Sequence, residues 1–283
     1  NKMINRSFLK KIKPLLVKLH IFNFLYATYF FVAKIKNKLT NCVNKLTRET
    51  VPVLLYHRID NISADPVMLV VKPETFEEHI KYINKFYKPI SLSELVRRLK
   101  SGSLLGDEIC VTFDDGYKDN FTNALPILKK YNTPATIFVT TSNLGNQASF
   151  DWDMKYNPKE RAFFLSKEEI AILANHPLIE IGAHTHTHLR LSDFSKHDQL
   201  KEIEASKKIL EDVIKKKVLH FAYPFGAKQD FNNLSESVVA GLGFISAYEN
   251  TGLLGIASSD VYSFPRINIR EGSVSYLSKL LCN

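Results

Sequence analysis

From Val51 onward, short runs of β-branched and apolar residues alternate with longer amphipathic segments, the pattern of strands joined by helical crossovers. That alternation confines the chain to the α/β class, with a mostly parallel sheet or barrel. The expected strands are residues 51–56, 109–113, 135–139, 179–181, 218–222, 244–247 and 264–269. Between them, Ser91 with Glu94 and Ser166 with Glu169 have the spacing of capping boxes and mark helix starts. Residues 196–216 carry Leu200, Ile203, Ile209, Leu210, Val213 and Ile214 among charges, which predicts a long helix on the outside of the sheet.

Charge separates this body from what precedes it. The formal net charge is +9, yet residues 1–48 hold eleven of the 38 Lys and Arg and no Asp or Glu. The remaining 27 basic residues face 29 acidic ones, so the body is nearly neutral. A nucleic-acid binder is therefore not indicated, because the basic residues are confined to a hydrophobic arm rather than spread with aromatics over the body. Within the arm, the apolar stretch 21–33 is shorter than the roughly 20 residues a bilayer-crossing helix needs, and lysines flank it on both sides. Residues 1–48 are thus expected to form a basic, aromatic-rich helical arm lying on a membrane surface. An uncleaved signal-anchor, or a helix packed on the body or a partner, stays open, and no small-x-small cleavage site follows Ala33.

In parallel α/β folds the chemistry gathers at the carboxyl ends of the strands. Thr112, Phe113, Asp114, Asp115 and Gly116 put two adjacent carboxylates at such an end. One can bind a cation while its neighbour stays a base, although a plain Asp-Asp-Gly capping turn has the same sequence. His184 and His188, four residues apart, are expected on one side of a helical turn. With Asp115 they make one oxygen and two nitrogen ligands, a three-residue set with an open position, which marks a catalytic metal site. Zinc is the default, with cobalt, nickel or manganese as alternatives. His186, offset by two residues, should face away, and His57 stands at the end of the first strand. His20, His79, His176, His197 and His220 read as solvated or locally hydrogen-bonded, and Cys110 as a buried structural thiol. Trp152, between Asp151 and Asp153, is either a sugar-stacking platform or an ordinary buried indole.

Taken together, Thr112 to Gly116, His184 to His188 and the run Phe221, Ala222, Tyr223, Pro224, Phe225, Gly226 resemble the three motifs of the polysaccharide deacetylases, the fourth carbohydrate esterase family, whose core is the NodB homology domain. The resemblance extends over residues 51–269. It implies that residues 49–283 form a distorted, incomplete (β/α) barrel with the arm as an N-terminal helical extension. It also implies Asp114 as base, Asp115, His184 and His188 as metal ligands, and Tyr223 and Phe225 as substrate or oxyanion contacts, with a backbone N–H near Phe225. Where many members have an arginine, this chain has Ala222, so Arg266 is the candidate to orient the base. No histidine follows His220, so His57 replaces the late histidine that serves as general acid in many members. Leu55, Tyr56 and His57, with the Ala-Tyr-Pro-Phe form of the third motif, look like the branch acting on poly-N-acetylglucosamine. The implied activity is removal of an N-acetyl group from a glycan or a lipid-linked amino sugar at a bacterial cell envelope. The competing reading is a non-catalytic glycan-binding or scaffolding member of the same fold.

Overall fold

The computed structural model describes residues 50–256 and 259–281. The arm expected over residues 1–48, with Cys42, and Cys282 near the other terminus lie outside the described residues. Among the described residues, no helix is long and apolar enough to cross a membrane.

The body opens with β1 (Thr50–Val51) and β2 (Val53–Tyr56), split at Pro52. Proline has no N–H to give a ladder, but its carbonyl still accepts from the Cys110 N–H at 2.9 Å. Next come β3 (Arg58–Ile59), β4 (Val70–Val71), α1 (Pro73–Phe86), β5 (Lys88–Pro89), α2 (Leu92–Ser101) and β6 (Glu108–Phe113). A regular alternation follows: α3 (Leu125–Lys130), β7 (Ala135–Val139), α4 (Lys167–Asn175), β8 (Ile179–Ala183), α5 (Lys196–Ile214), β9 (His220–Ala222), α6 (Asn233–Gly241) and β10 (Ser246–Tyr248). The chain closes with β11 (Gly255–Ile256), β12 (Ile267–Asn268) and α7 (Val274–Leu280).

The main sheet runs β10-β9-β8-β7-β6-β2-β12, and every pairing along it is parallel. Its edges meet through an isolated parallel bridge between Tyr248 and Phe264, just ahead of β12. The result is the distorted, incomplete barrel expected from the sequence. Strand alternation divides its two faces. Leu54, Tyr56, Val111, Phe113 and Ile137 face outward into the main core against the helices, while Val53, Cys110, Phe138, Ala222 and Tyr248 form a smaller cluster inside the barrel. Gly182 is required there, because a Cβ at that position would lie 2.3 Å from Cδ1 of Phe138. Its bare backbone lets the Phe138 ring cross the interior.

Helix caps fix where the crossovers begin. Ser166 and Glu169 complete a capping box on α4, whereas Ser91 makes only its own half. The Glu94 carboxylate is instead drawn to Arg97 and Arg98, at 2.7 and 2.6 Å. Helix α5 buries Ile203, Ser206, Leu210 and Ile214 at helical spacing, while Leu200, expected in that stripe, is exposed.

Candidate active site

Strand β6 sends Thr112 and Asp114 to the same side by alternation, into the barrel. The next residue should point outward. The backbone instead turns left-handed at Asp115 (φ 72°) and Gly116 (φ 79°), which swings the Asp115 carboxylate back over the barrel mouth. Aspartate tolerates this region better than most residues. Gly116 also lacks a Cβ that would sit 3.0 Å from Val139 Cγ1.

His184 follows β8 directly. Its N–H donates to Val139 O at 3.2 Å, its carbonyl accepts from Thr140 Oγ1 at 3.1 Å, and its Nδ1–H donates to Ala222 O at 2.8 Å. That last bond leaves Nε2 with its lone pair. His188 does not reach the same place by a helical turn, as the four-residue spacing suggested. The segment is a loop, left-handed at Thr185 (φ 59°) and His188 (φ 62°) and pinned by the His188 N–H on Thr185 Oγ1 at 3.0 Å. His186 faces away, its Nδ1 on Thr141 Oγ1 at 2.9 Å and its N–H on the Glu202 carboxylate of α5 at 3.1 Å.

Asp115 Oδ1 lies 3.5 Å from His184 Nε2 and 3.3 Å from His188 Nε2, and the three donor atoms all fall within 4.8 Å of one another. Bonds of about 2.0–2.2 Å in a tetrahedral site separate ligand atoms by about 3.4 Å, so the set fits a divalent cation. Burial pushes the Asp115 carboxyl up, but with no cation between them the two imidazoles, in their protonated form, donate to it, more than reverse this and hold it far below the usual carboxylate range. Burial likewise pushes His184 down, while Asp114 and Asp115 outweigh it and raise the imidazole. The pocket therefore draws positive charge to this point.

Asp114 is held by another partner. Arg266 is fully buried and grips both carboxylate oxygens, at 2.7 and 2.6 Å. The guanidinium is itself fixed by Thr112 Oγ1 at 3.2 Å, by Glu249 O at 3.1 Å, and by the Phe138 ring 5.3 Å beneath it. Burial pushes the Asp114 carboxyl up, and Arg266 brings it below its ordinary value, so it stays ionised. Ala222 leaves the interior position on β9 small, and the arginine reaches the carboxylate from the strand at the opposite edge.

These groups open onto a cavity of about 270 Å³ also lined by His57, Trp152, Phe225, Val67, Leu69, Asn250 and Asn268. Burial lowers the His57 imidazole, the two aspartates only partly compensating, and its Nδ1 has no hydrogen-bond partner among the described residues. Phe225 is left-handed (φ 61°), with its ring 4.8 Å from that of His188. Its N–H has no acceptor among the described residues. Tyr223, expected to contact substrate or oxyanion, is buried and is not among the residues that line this cavity. Its ring stacks on Phe231 at 4.0 Å, its hydroxyl donates to Tyr262 O, and its N–H donates to Tyr248 O. Since Ala222 faces inward, its neighbour must face out. Asn268, unforeseen, stands two residues beyond Arg266 on β12, so the same alternation could have found it. Asn250, Val67 and Leu69 lie on loops and carry no such signal.

A model of the polysaccharide deacetylase family matches residues 102–245. The poly-beta-1,6-N-acetyl-D-glucosamine N-deacetylase of Staphylococcus aureus is 30% identical over 218 residues, spanning 74% of this chain and 71% of that protein. YxkH of Bacillus subtilis is also 30% identical, but its match covers 62% of this chain and only 56% of YxkH. Among solved structures, the deacetylase PplD of Streptococcus pyogenes, determined with acetate, superposes with a TM-score of 0.70 over 82% of this chain and 97% of PplD. At 24% identity, that likeness is one of fold.

Proposed function

The chain belongs to the polysaccharide deacetylase family, and on that premise we propose that it is a metal-dependent hydrolase removing N-acetyl groups from an amino-sugar glycan or a lipid-linked amino sugar. The observation that carries the reading is the convergence of Asp115, His184 and His188 beside a second carboxylate, Asp114, that is clamped separately. A protein that merely gripped a cation or a sugar gains nothing evident from that second carboxylate. Poly-N-acetylglucosamine is the favoured polymer, supported by the name of the Staphylococcus aureus relative.

Asp115, His184 and His188 would hold a divalent cation, zinc or else cobalt, nickel or manganese, which when bound would supply Lewis acidity to the acetyl carbonyl and to water. Asp114 takes the proton of the attacking water, and Arg266 keeps it ionised and aimed. The free N–H of Phe225 donates to the carbonyl oxygen as negative charge develops there. His57 delivers a proton to the departing nitrogen, so the C–N bond breaks to leave acetate and a free amine. Because burial depresses its pKa, His57 is a stronger acid when charged than an exposed imidazole.

The test is acetate release from N-acetylglucosamine oligomers and from a lipid-linked amino sugar, using the full chain stripped by chelator and resupplied with zinc, cobalt, nickel or manganese. Release restored by metal is expected. No release from either substrate, with the cation demonstrably bound, sinks the reading. The same reading assigns residues 1–48 to a bacterial envelope membrane, and recovery of the full chain in the soluble cell fraction overturns that part.

A further inference from the structure

The segment around the short 3-10 turn Asp153–Lys155 takes no part in the steps above, yet it holds the chain's single tryptophan. Trp152 lines the pocket and is partly exposed. Its Nε1–H donates to Tyr117 Oη at 3.0 Å, and that hydroxyl donates to Asp153 Oδ1 at 2.9 Å. The other carboxylate oxygen, Oδ2, accepts the Phe150 N–H at 3.0 Å. Tyr117 is 0% exposed and Asp153 1%. A buried carboxylate is costly, and here burial pushes Asp153 up to about 6. A tryptophan that served only to fill the core would not need such a chain behind it.

What the chain fixes is a pair of rings on the metal-centre wall. The centroids of Phe150 and Trp152 each lie 5.0 Å from that of His188, and 4.6 Å from each other. Among the described residues His188 Nδ1 has no hydrogen-bond partner, so apart from its Nε2 contact to Asp115 the plane of its ring is set by these neighbours and by Phe225. The indole is thus locked at one end by Tyr117 and leans against a metal ligand, with part of its surface open to the pocket.

We propose that Tyr117 and Asp153 are positioning residues that hold Trp152 as the stacking platform for a pyranose ring and, through Phe150 and Trp152, fix the orientation of His188. The proposal rests on the hydrolase reading above for the identity of the ring that stacks. Trp152 stands against the ligand His188, so a sugar lying on it is beside the cation site and the platform sets which atom of the glycan meets Asp114.

Tyr117→Phe keeps the ring stacked on Phe164 at 5.4 Å and removes only the hydroxyl, and Asp153→Asn keeps the side-chain shape. The sole indole makes intrinsic fluorescence a reporter of this site alone. In the full chain, both variants should shift the emission of Trp152 and weaken its response to N-acetylglucosamine oligomers. The midpoint and KM should rise about tenfold, the value of one aromatic contact, with KM rising by more than kcat falls. Trp152→Phe should raise KM equally. Wild-type emission, midpoint and KM in both positioning variants would overturn the proposal, and if wild type still releases acetate the hydrolase reading survives that failure. Conversely, oligomer titration that is lost in the variants of a protein releasing no acetate supports the platform while the hydrolase reading falls.

Discussion

His184 and His188 offer the same atom to the same point, and they are held there by different physics. His184 sits at a strand end, with a carbonyl of the neighbouring strand fixing its tautomer and ring plane at 2.8 Å. His188 sits on a left-handed loop with no partner for Nδ1 among the described residues, boxed by Phe150, Trp152 and Phe225 at 4.8 to 5.0 Å. The contrast extends to their surroundings. On the strand side, Asp114 and Arg266 are locked by directional, charge-assisted bonds; on the loop side, packing does the aligning. Directional bonds fix an angle and fail abruptly when a partner is removed, whereas packing fails by degrees.

The sharpest break of this contrast lies on the strand side. Asp114→Asn should cut turnover about 10³-fold, within the range for loss of a general base, with bound metal unchanged by elemental analysis. His184→Ala should lose both metal and turnover. Full activity in the asparagine variant would refute Asp114 as base. Next in size, Arg266→Met strands a buried carboxylate and should cost about 3–5 kcal/mol in denaturant unfolding. Because Arg266 depresses the Asp114 pKa in the fold, the pair stabilises above the unfolded carboxyl value of about 3.9 and loses that contribution as pH falls through the folded value. Removing Arg266 should therefore move the acid limb of the pH–rate profile upward, and an unmoved limb would show that the arginine does not tune this carboxylate. The smallest effect belongs to the loop side. Phe150→Ala should weaken cation binding only about tenfold, at the low end for residues that orient a ligand, as read by competition with a chelating dye. A loss as complete as that of His184→Ala would erase the distinction between the two sides.

What the sequence made legible follows the same division. Strand alternation is a period of two and needs no tertiary information, so the parallel α/β sheet and the inward Asp114 could be read in advance, while the barrel and Arg266, just ahead of β12, were implied by the resemblance of the three motifs. The same rule, applied one residue further, would have excluded Tyr223 next to the inward Ala222 and named Asn268 beyond Arg266. The loop side offered no such ruler. Thr185, His188 and Phe225 are left-handed without being glycine, so spacing misread the histidine pair as a helical turn. The lock on Trp152 joins it to Tyr117, 35 residues earlier, through a contact that no local pattern encodes.

The crossing of Phe138 over Gly182 has a topological consequence. Phe138 is fully buried, roofed by Arg266 at 5.3 Å and flanked by Tyr248 at 5.7 Å. The catalytic cavity and the cavity around Glu180 and His220 at the other end of the strands share no lining residue. Buried side chains of Val53, Cys110, Phe138, Ala222 and Tyr248 fill the barrel between them, so the active-site cavity has a packed floor. On the proposed function, a polymer would not be threaded through such a barrel: each acetamido arm would be dipped in from the side and withdrawn, and the freed acid would depart by the entrance its sugar used. Such a pocket would ask nothing of the ends of the strand it works on, so a unit in the middle of a long chain would be as admissible as the last.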